Sequence, residues 1–406
     1  QNYSCIKKWG EKKIIKWGGN MKIQKTSNLL RPVFVTIIGL GILISATTAF
    51  AETIKIGVIT DRVGNSAAWA KPVEEGLEMA LKEINGSNGV LGKQIELLYE
   101  SDQSKPDISA TKARKLIDAG VVAILSISNS PSTQQAQTVT MKAKIPHMTP
   151  ANSADYLTKK LKNNYFFQMG PLGSTQIRTL MAYNKKNNFK RVALVKDNSG
   201  LGTYLGKIFK QNLEKGGTSI VAEQTIEIGS TDAIPQLQKV RAAKPDAIYH
   251  SGIVVSSMAT FFKAYHQLGM KQPILGSFNL SVPRYLEVIP GLLEGVTFID
   301  AFDPDKKEAK AFINKYKKEY GKVPFALPAY GYDGLHVMVN AIRRAGSTDP
   351  DAIRAALAAT KGYVGALGAK GTSVDFSKDR AGFSKQGAVV RVIKNNTHGP
   401  VVHSGY

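Results

Sequence analysis

Residues 52–98 read ETIKIGVITDRVGNSAAWAKPVEEGLEMALKEINGSNGVLGKQIELL. A short apolar run near the start is typical of a strand that is buried on both faces of a parallel sheet, and it comprises Ile54, Ile56, Val58 and Ile59. A helix is predicted to begin at Pro72, which suits a first helical position, and to end near Gly86. Apolar side chains recur at helical spacing between these limits, namely Val73, Leu77, Ala80, Leu81 and Ile84. The segment therefore predicts a strand, loop, helix and second strand.

The loop that joins this strand to the helix, residues 60–71, is long for a connection of its kind. Open α/β sheets bind ligands at the carboxyl ends of their strands, which is where this loop leaves the sheet. Its one large side chain is Trp69. We expect Trp69 to cover a ligand.

The N-terminal residues differ from the rest of the chain. Residues 1–20 show no pattern of a core element, and we interpret them as an upstream extension that is not native. From Met21, basic residues precede an apolar run over residues 33–44 and the sequence Ala49-Phe50-Ala51, which predicts a cleaved signal peptide over residues 21–51. The run is shorter than the ~20 apolar residues of a spanning helix. We therefore expect export to the periplasm and a mature chain that begins at Glu52.

Composition narrows the possible functions. The single cysteine, Cys5, lies upstream of the predicted signal, so the mature chain has no thiol for a disulfide, a metal or a lipid. Residues 52–406 keep 46 Lys and Arg against 30 Asp and Glu, a net charge of +16. The lysines are spread along helical segments without a stacking aromatic pattern, so we expect a solvated basic surface and no nucleic-acid partner. A chain of this length exceeds one core and predicts two domains.

Helices and short apolar strands alternate after residue 98, which predicts parallel βαβ units. The predicted strands span residues 121–127, 145–149, 166–169, 191–195, 219–222, 247–251, 273–275 and 387–393. The predicted helices span residues 108–119, 132–143, 174–186, 203–215, 233–243, 255–268, 306–320, 328–345 and 349–360. We predict an α/β fold with two Rossmann-like lobes, each with a parallel central sheet, joined by a three-strand hinge.

The predicted chain crossings lie near Gly170, Phe302 and Ala381. They divide the chain into a first lobe of residues 52–170 and 303–380 and a second lobe of residues 171–302 and 381–406. The last three predicted helices lack intervening strands, so we expect them to cover the sheet of the first lobe. A hinge of this kind places a cleft between the lobes.

Two polar turns follow neighbouring strands of the first lobe. The sequence SISNSPST, residues 126–133, allows Ser130 to cap a helix that begins at Pro131. The backbone N–H groups and hydroxyls of Ser132 and Thr133 would then point into the cleft, where free donors suit a carboxylate. An ordinary helix cap would use the same residues. A second polar turn at the same sheet edge contains Asn152 and Ser153, and this favours the hypothesis that the two turns bind a ligand.

The sequence offers little for an enzyme. Its histidines are scattered without the spacing of metal ligands, at positions His147, His250, His266, His336, His398 and His403. No G-x-S-x-G elbow, G-x-x-x-x-G-K-[ST] loop or G-x-G-x-x-G loop after the first strand is present. We expect no catalytic residue, no metal and no cofactor.

Six passages of the chain resemble the type I periplasmic binding proteins of ABC importers, a group that includes leucine/isoleucine/valine-binding proteins. They are IKIGVITD, residues 76–118, VAILSISNSPSTQQAQ, IPHMTPANSA, RVALVKDN and YGYDG. The likeness covers nearly all of residues 52–406, and the passage ALKEIN…GVLGKQIEL is its most specific part. It implies a monomeric Venus-flytrap receptor that clamps a small solute between two lobes and delivers it to permease and ATPase subunits at the inner membrane.

The resemblance also implies a set of ligand-binding residues. In the first lobe, hydroxyl and amide groups that hold a ligand carboxylate match Ser130, Ser132, Thr133, Asn152 and Ser153, and Trp69 matches a covering aromatic residue. The second lobe departs from the family's pattern. Leu201 and Ile253 replace tyrosines, although Tyr204 follows three residues after Leu201, and Phe278 or Asn279 stands where an acidic residue pairs with the ammonium of an amino acid.

A buried ammonium without a partner costs several kcal/mol. An aromatic or aliphatic acid therefore competes with a branched-chain amino acid as the ligand, unless Asp61 or Asp303 reaches the cleft. Two other functions stay open from the sequence: a sensor component for a chemoreceptor or kinase, and a lyase or hydrolase built on two such lobes.

Overall fold

The computed structural model describes residues 52–64, 66–252, 254–383 and 387–406. The predicted signal peptide and upstream extension lie outside these residues. The strands are β1 Ile54–Thr60, β2 Ile95–Ser101, β3 Ala123–Ser126, β4 His147–Thr149, β5 Phe166–Gln168, β6 Arg191–Asp197, β7 Ser219–Ile226, β8 Ala247–His250, β9 Ile274–Gly276, β10 Thr297–Asp300, β11 Val389–Lys394 and β12 Thr397–Ser404.

The helices alternate with the strands along most of the chain. They are α1 Ala67–Gly86, α2 Pro106–Asp118, α3 Ser130–Lys142, α4 Tyr156–Lys159, α5 Gly173–Lys186, α6 Gly200–Lys215, α7 Ile234–Ala242, α8 Val255–Gln267, α9 Arg284–Val288, α10 Lys307–Tyr320, α11 Ala326–Ala345 and α12 Pro350–Ala358. A short 3-10 helix covers Phe278–Ser281. Within the described ranges, no helix is both long enough and apolar enough to cross a bilayer.

The first sheet has five strands in the order β2-β1-β3-β4-β5, and all of its pairs are parallel. Apolar residues of α1, α10, α11 and α12 pack on one face, and those of α2 and α3 pack on the other. The apolar β1 residues are fully or almost fully buried, as expected for a strand covered on both faces. The carboxyl ends of β1, β3 and β4 therefore lie at one sheet edge, where ligand loops gather in such folds.

The second sheet has seven strands in the order β12-β11-β10-β9-β8-β6-β7. The pairs from β10 to β7 are parallel, but β11 pairs antiparallel with both β10 and β12. The predicted parallel central sheet is therefore confirmed from β10 to β7, and β11 and β12 add an antiparallel edge that was not predicted. Asn395 and Asn396 join β11 to β12 with φ of 53° and 52°, and a two-residue turn of this kind forces an antiparallel hairpin.

Three segments connect the two sheets. They follow β5, follow β10 and precede β11. Gln168 at the end of β5 bridges to Ala381, and Phe302 after β10 bridges to Gly368. Next to the second segment, the carboxylate of Asp300 lies 2.9 Å from the guanidinium of Arg391, and both side chains are buried. Burial raises the pKa of Asp300, and the Arg391 charge opposes that rise.

Helix α1 begins at Ala67 and not at Pro72 as predicted. The carboxylate of Asp61 accepts the backbone N–H groups of Gly64 at 2.6 Å and Ser66 at 2.8 Å, which folds the loop tightly and lets the helix begin earlier. Pro72 is accommodated inside the helix at the loss of one backbone hydrogen bond. Trp69 consequently lies on the first turn of α1 and not on a long loop.

Candidate functional site

The two polar turns of the first lobe meet through one side-chain amide. Ser130 donates its hydroxyl to Oδ1 of Asn152 at 3.3 Å, and Nδ2 of Asn152 donates to the Thr133 hydroxyl at 2.8 Å. Ser130 and Thr133 lie on the first turn of α3, and Asn152 follows β4. Parallel strands explain this meeting, because β3 and β4 are neighbours and both turns leave the same sheet edge.

The cap of α3 differs from the prediction. Helix α3 begins at Ser130, and Asn129 is its N-cap, with Oδ1 accepting the N–H of Ser132 at 2.9 Å. The N–H of Thr133 donates to the Asn129 carbonyl at 2.9 Å. Assigning the cap to Ser130 and leaving these two N–H groups free was therefore wrong, because asparagine caps a helix as well as serine does. The groups left for a ligand at this turn are side-chain hydroxyls.

Ser132 and Ser153 occupy different surroundings from Ser130. Ser132 is fully buried, and its Oγ has no hydrogen-bond partner among the described residues. Ser153 is half-buried, and its carbonyl accepts the N–H of Gly173 at 2.7 Å. Because Gly173 begins α5, the Ser153 backbone ties the second polar turn to the first connecting segment.

Two residues that the sequence reasoning missed, Asp155 and Tyr156, lie beside these turns. Burial raises the pKa of Tyr156, the nearby Tyr204 raises it further, and a hydrogen bond with Ser130 opposes both effects. Burial also raises the pKa of Tyr204, and Asp155 adds to that rise. Tyr204 lies on α6, which packs on the second sheet, so polar side chains of the two lobes are near enough to influence each other's pKa. The sequence did contain a signal for these two residues, because Asp155 and Tyr156 follow the second polar turn after a single alanine.

Of the second-lobe candidates on α6, Leu201 lies in the helix and not in the preceding loop as predicted, whereas Tyr204 lies in the helix as predicted. The helix begins at Gly200, three residues before the predicted start, because the Ser199 hydroxyl accepts the N–H of Gly202 at 3.0 Å and caps it. Leu201 is therefore on its first turn, and Tyr204 begins the second. Their exposed fractions of 40% and 51% leave both side chains available to a ligand or to the opposite lobe.

An aromatic contact joins the first lobe to the second. The rings of Trp69 on α1 and Phe278 on the 3-10 helix have centroids 5.5 Å apart at an angle of 63°. Both side chains are half-buried. Asn279 is buried, and its side-chain amide donates to the Ser277 hydroxyl at 3.2 Å. This hydrogen bond stabilises the start of the 3-10 helix. Ile253 lies outside the described residues.

The carboxylates near these loops already accept hydrogen bonds from the protein. Burial alone would raise the pKa of Asp61, but hydrogen bonds from Ser104 and three backbone N–H groups hold it below its usual value. Asp155 accepts the N–H of Ser174 at 3.0 Å and also its hydroxyl. Asp303 accepts a backbone N–H at 3.0 Å. Asp61 and Asp303 thus stabilise their own loops, and Asp155 holds the first turn of α5.

The one histidine beside the polar turns is structural. His147 is fully buried between the hydroxyls of Ser126, 2.7 Å from Nε2, and Thr140, 3.1 Å from Nδ1. Burial lowers the pKa of His147 to about 3, so its ring is neutral. Across the described ranges, no group of three or more His, Cys, Asp or Glu side chains is placed to hold a metal ion.

Comparison with known sequences gives one family. A family model described as "Periplasmic binding protein" matches residues 53–397. The Leu/Ile/Val-binding protein homolog 3 of Brucella melitensis is 28% identical over 76% of this chain and 83% of its own length. The Leu/Ile/Val-binding protein BraC3 of Rhizobium johnstonii is 28% identical over 80% of this chain and 89% of its own length.

Solved structures give the same fold. The branched-chain amino acid transporter substrate binding protein LivJ of Streptococcus pneumoniae, in complex with isoleucine, is 27% identical with a TM-score of 0.73, and the match covers 87% of this chain and 100% of that one. The leucine binding protein LivK of Thermotoga maritima is 26% identical with a TM-score of 0.72, covering 87% and 99%. The predicted architecture of two α/β lobes is confirmed by these matches.

Proposed function

The chain belongs to the periplasmic binding protein family, whose members are solute-binding proteins and not enzymes, and from this premise we propose that it is the solute-binding component of an ABC importer. The importer is of the branched-chain amino acid type. The protein captures a small carboxylate-bearing solute in the periplasm and delivers it to the permease and ATPase subunits at the inner membrane. The ligands named for LivJ and LivK support the amino-acid class as a starting point.

Capture takes place by closure of two lobes about the connecting segments. We propose that the first lobe comprises residues 52–170 and 303–380 and the second comprises residues 171–302 and 381–406. The separate apolar cores on the two sheets support this division, since each sheet with its helices is a packed unit. Rotation about short segments then opens and closes the cleft.

One observation carries the proposed binding mode: an aromatic contact and a polar cluster follow strands that end at the same sheet edge. Trp69, which contacts Phe278, comes after β1, and the cluster of Ser130, Asn152 and Tyr156 comes after β3 and β4. Such an arrangement suits a ligand with an apolar body and a carboxylate. The hydroxyls donate to the carboxylate, and charge-assisted hydrogen bonds of this kind are stronger than neutral ones. The aromatic rings and Leu201 cover the apolar body.

The solute does not require an α-ammonium group under this proposal. The carboxylates of Asp61, Asp155 and Asp303 already hold backbone groups of their own loops or of the hinge. A ligand ammonium would have to draw one of them from those bonds or stay unpaired, and either costs free energy. Aromatic and aliphatic acids are therefore proposed alongside branched-chain amino acids.

A thermal-shift screen against amino acids and organic acids tests the function, because a ligand at one hundred times its dissociation constant stabilises the folded protein by about 2.7 kcal/mol. Hits are then measured by calorimetry with the Ser130→Ala variant. Loss of a hydroxyl that donates to a carboxylate is expected to weaken binding by roughly 1–3 kcal/mol.

The matched control is Thr138→Ala, which removes a hydroxyl from the same helix where it only contacts the Gln135 carbonyl. This variant is expected to bind like the parent protein. A screen without any stabilising acid refutes the proposed function. Equal affinities of the Ser130→Ala and parent proteins refute the proposed carboxylate site alone.

A further inference from the structure

A second concave site has a lining that differs from that of the proposed cleft. A cavity of about 460 Å³ is formed by α4, α12, β5 and the segment 376–381. Its lining combines basic side chains with a few apolar ones. None of the residues proposed to bind the cleft ligand belongs to this set.

The charges around this cavity are unbalanced. Four cationic side chains line it, Lys159, Arg354, Lys378 and Arg380, against the single acid Asp379. Lys159 lies 3.7 Å from the carboxylate of Asp155, so the excess positive charge comes from the other three. The Asp379 carboxylate accepts the N–H of Ala381 at 2.6 Å and so serves the local turn. A concave surface of one sign concentrates the electrostatic potential and attracts counter-ions. The cavity is therefore suited to an anion.

The guanidinium of Arg380 is fixed by hydrogen bonds that leave its positive charge unpaired. It donates to Oδ1 of Asn164 at 2.7 Å and to the carbonyl of Thr158 at 3.1 Å, and both acceptors are uncharged. Among the described residues, Arg354, Lys378 and Arg380 form no ion pair. A fixed guanidinium loses little conformational freedom when it binds a carboxylate or phosphate.

The cavity also has an apolar side. Leu172 and Ala358 are half-buried and form its accessible part, next to the buried rings of Phe167 and Phe376, whose centroids lie 5.2 Å apart. The volume lies within the roughly 300–1,000 Å³ of small-molecule sites, which are typically apolar with a few polar groups. A bare inorganic ion would leave the apolar side uncovered.

We propose that this cavity binds a small organic anion that carries two or more negative charges. The anion contacts Arg354, Lys378 and Arg380 through its charged groups and the half-buried Leu172 and Ala358 through its carbon skeleton. The site also includes residues of two connecting segments, Leu172 and Ala381, and Ala381 bridges to the end of β5. This proposal is independent of the solute proposed for the cleft.

Calorimetry with citrate as the probe tests the proposal, with acetate and inorganic phosphate compared at the same ionic strength. Citrate is expected to bind at one saturable site, and acetate and phosphate at least about tenfold more weakly, because they lack either the charge or the carbon skeleton. The double variant Arg354→Gln/Lys378→Gln is expected to weaken citrate binding at least about tenfold. Arg380 is left intact because it anchors the local structure.

Two controls distinguish binding in this cavity from a general effect of net charge and from binding in the cleft. The double variant Lys263→Gln/Lys271→Gln removes the same charge from exposed positions outside the cavity, and it is expected to leave citrate binding within about twofold. Ser130→Ala, in the cleft, is expected to leave it unchanged. No saturable citrate binding, equal losses in the two double variants, loss on Ser130→Ala, or phosphate binding as tightly as citrate would each overturn the proposal.

Discussion

The contact between Trp69 and Phe278 offers a direct test of lobe closure. Trp69 lies on α1 of the first lobe, and Phe278 follows β9 of the second. Their rings meet edge to face with centroids 5.5 Å apart. If the lobes separate on opening, this contact exists in the closed form only. Removing it is then expected to weaken ligand binding without unfolding either lobe.

The expected magnitude follows from the ring geometry. Aromatic pairs at such distances contribute about 0.5–1.5 kcal/mol beyond the area that they bury. A loss of this size in the closed form changes the dissociation constant by roughly two- to thirteenfold. Trp69→Ala alone is expected to cost more, because Trp69 is also proposed to cover the ligand. A double-mutant cycle separates the two contributions.

The assay is calorimetry of the tightest acid from the thermal-shift screen with the parent protein, Trp69→Ala, Phe278→Ala and the double variant. A coupling energy of about 0.5–1.5 kcal/mol in ligand affinity is expected. The control cycle uses Tyr183 and His403, whose rings lie 5.9 Å apart within the second lobe and stay together in either form. Additive effects of the Trp69 and Phe278 substitutions on affinity would refute closure through this contact.

Three further outcomes are expected. Asn129→Ala removes the cap of α3 and should lower the free energy of unfolding by about 1 kcal/mol in urea titrations, whereas Asn129→Asp should keep the cap; equal stability of all three proteins would contradict the assignment. Burial lowers the pKa of His147 to about 3 and of His250 and His398 to about 4. The stability that each neutral ring contributes is therefore present above the unfolded-state pKa of about 6.5 and is lost as the pH falls below it, by roughly 1 kcal/mol per histidine at pH 5.5. A flat urea midpoint between pH 7.5 and 5.5 would oppose this. Mass spectrometry of the exported protein should find Glu52 as the first residue, and retention of residues 21–51 would contradict the predicted cleavage.

The sequence predicted the features that depend on local periodicity. The buried β1 run and the alternation of helices with strands indicated α/β lobes, and β3 and β4 placed the two polar turns together. The start of α1 was missed because it depends on Asp61, whose carboxylate is fixed by its own loop and by Ser104 from a distant part of the chain. Contacts of that kind leave no periodic signal.

The candidate site was predicted less completely than the fold. The importance of Tyr156 and Asp155 arises from their nearness to Ser130 and Tyr204, and these residues belong to different elements and lobes. The Asn129 cap was missed because Asn129 and Ser130 are adjacent and equally good caps, so composition does not choose between them. The antiparallel hairpin, in contrast, had a visible signal in Asn395-Asn396.

The most direct test of the proposed binding mode compares leucine with 4-methylpentanoate, the acid of the same carbon skeleton without the amino group, by calorimetry with the parent protein. In the proposed mode, the hydroxyls of Ser130 and Tyr156 contact the carboxylate, and the nearby carboxylates stay engaged with their own loops. Removing the amino group is therefore expected to change the dissociation constant by less than about tenfold, or roughly 1.4 kcal/mol. Leucine binding more than about tenfold tighter than 4-methylpentanoate would contradict the proposed mode.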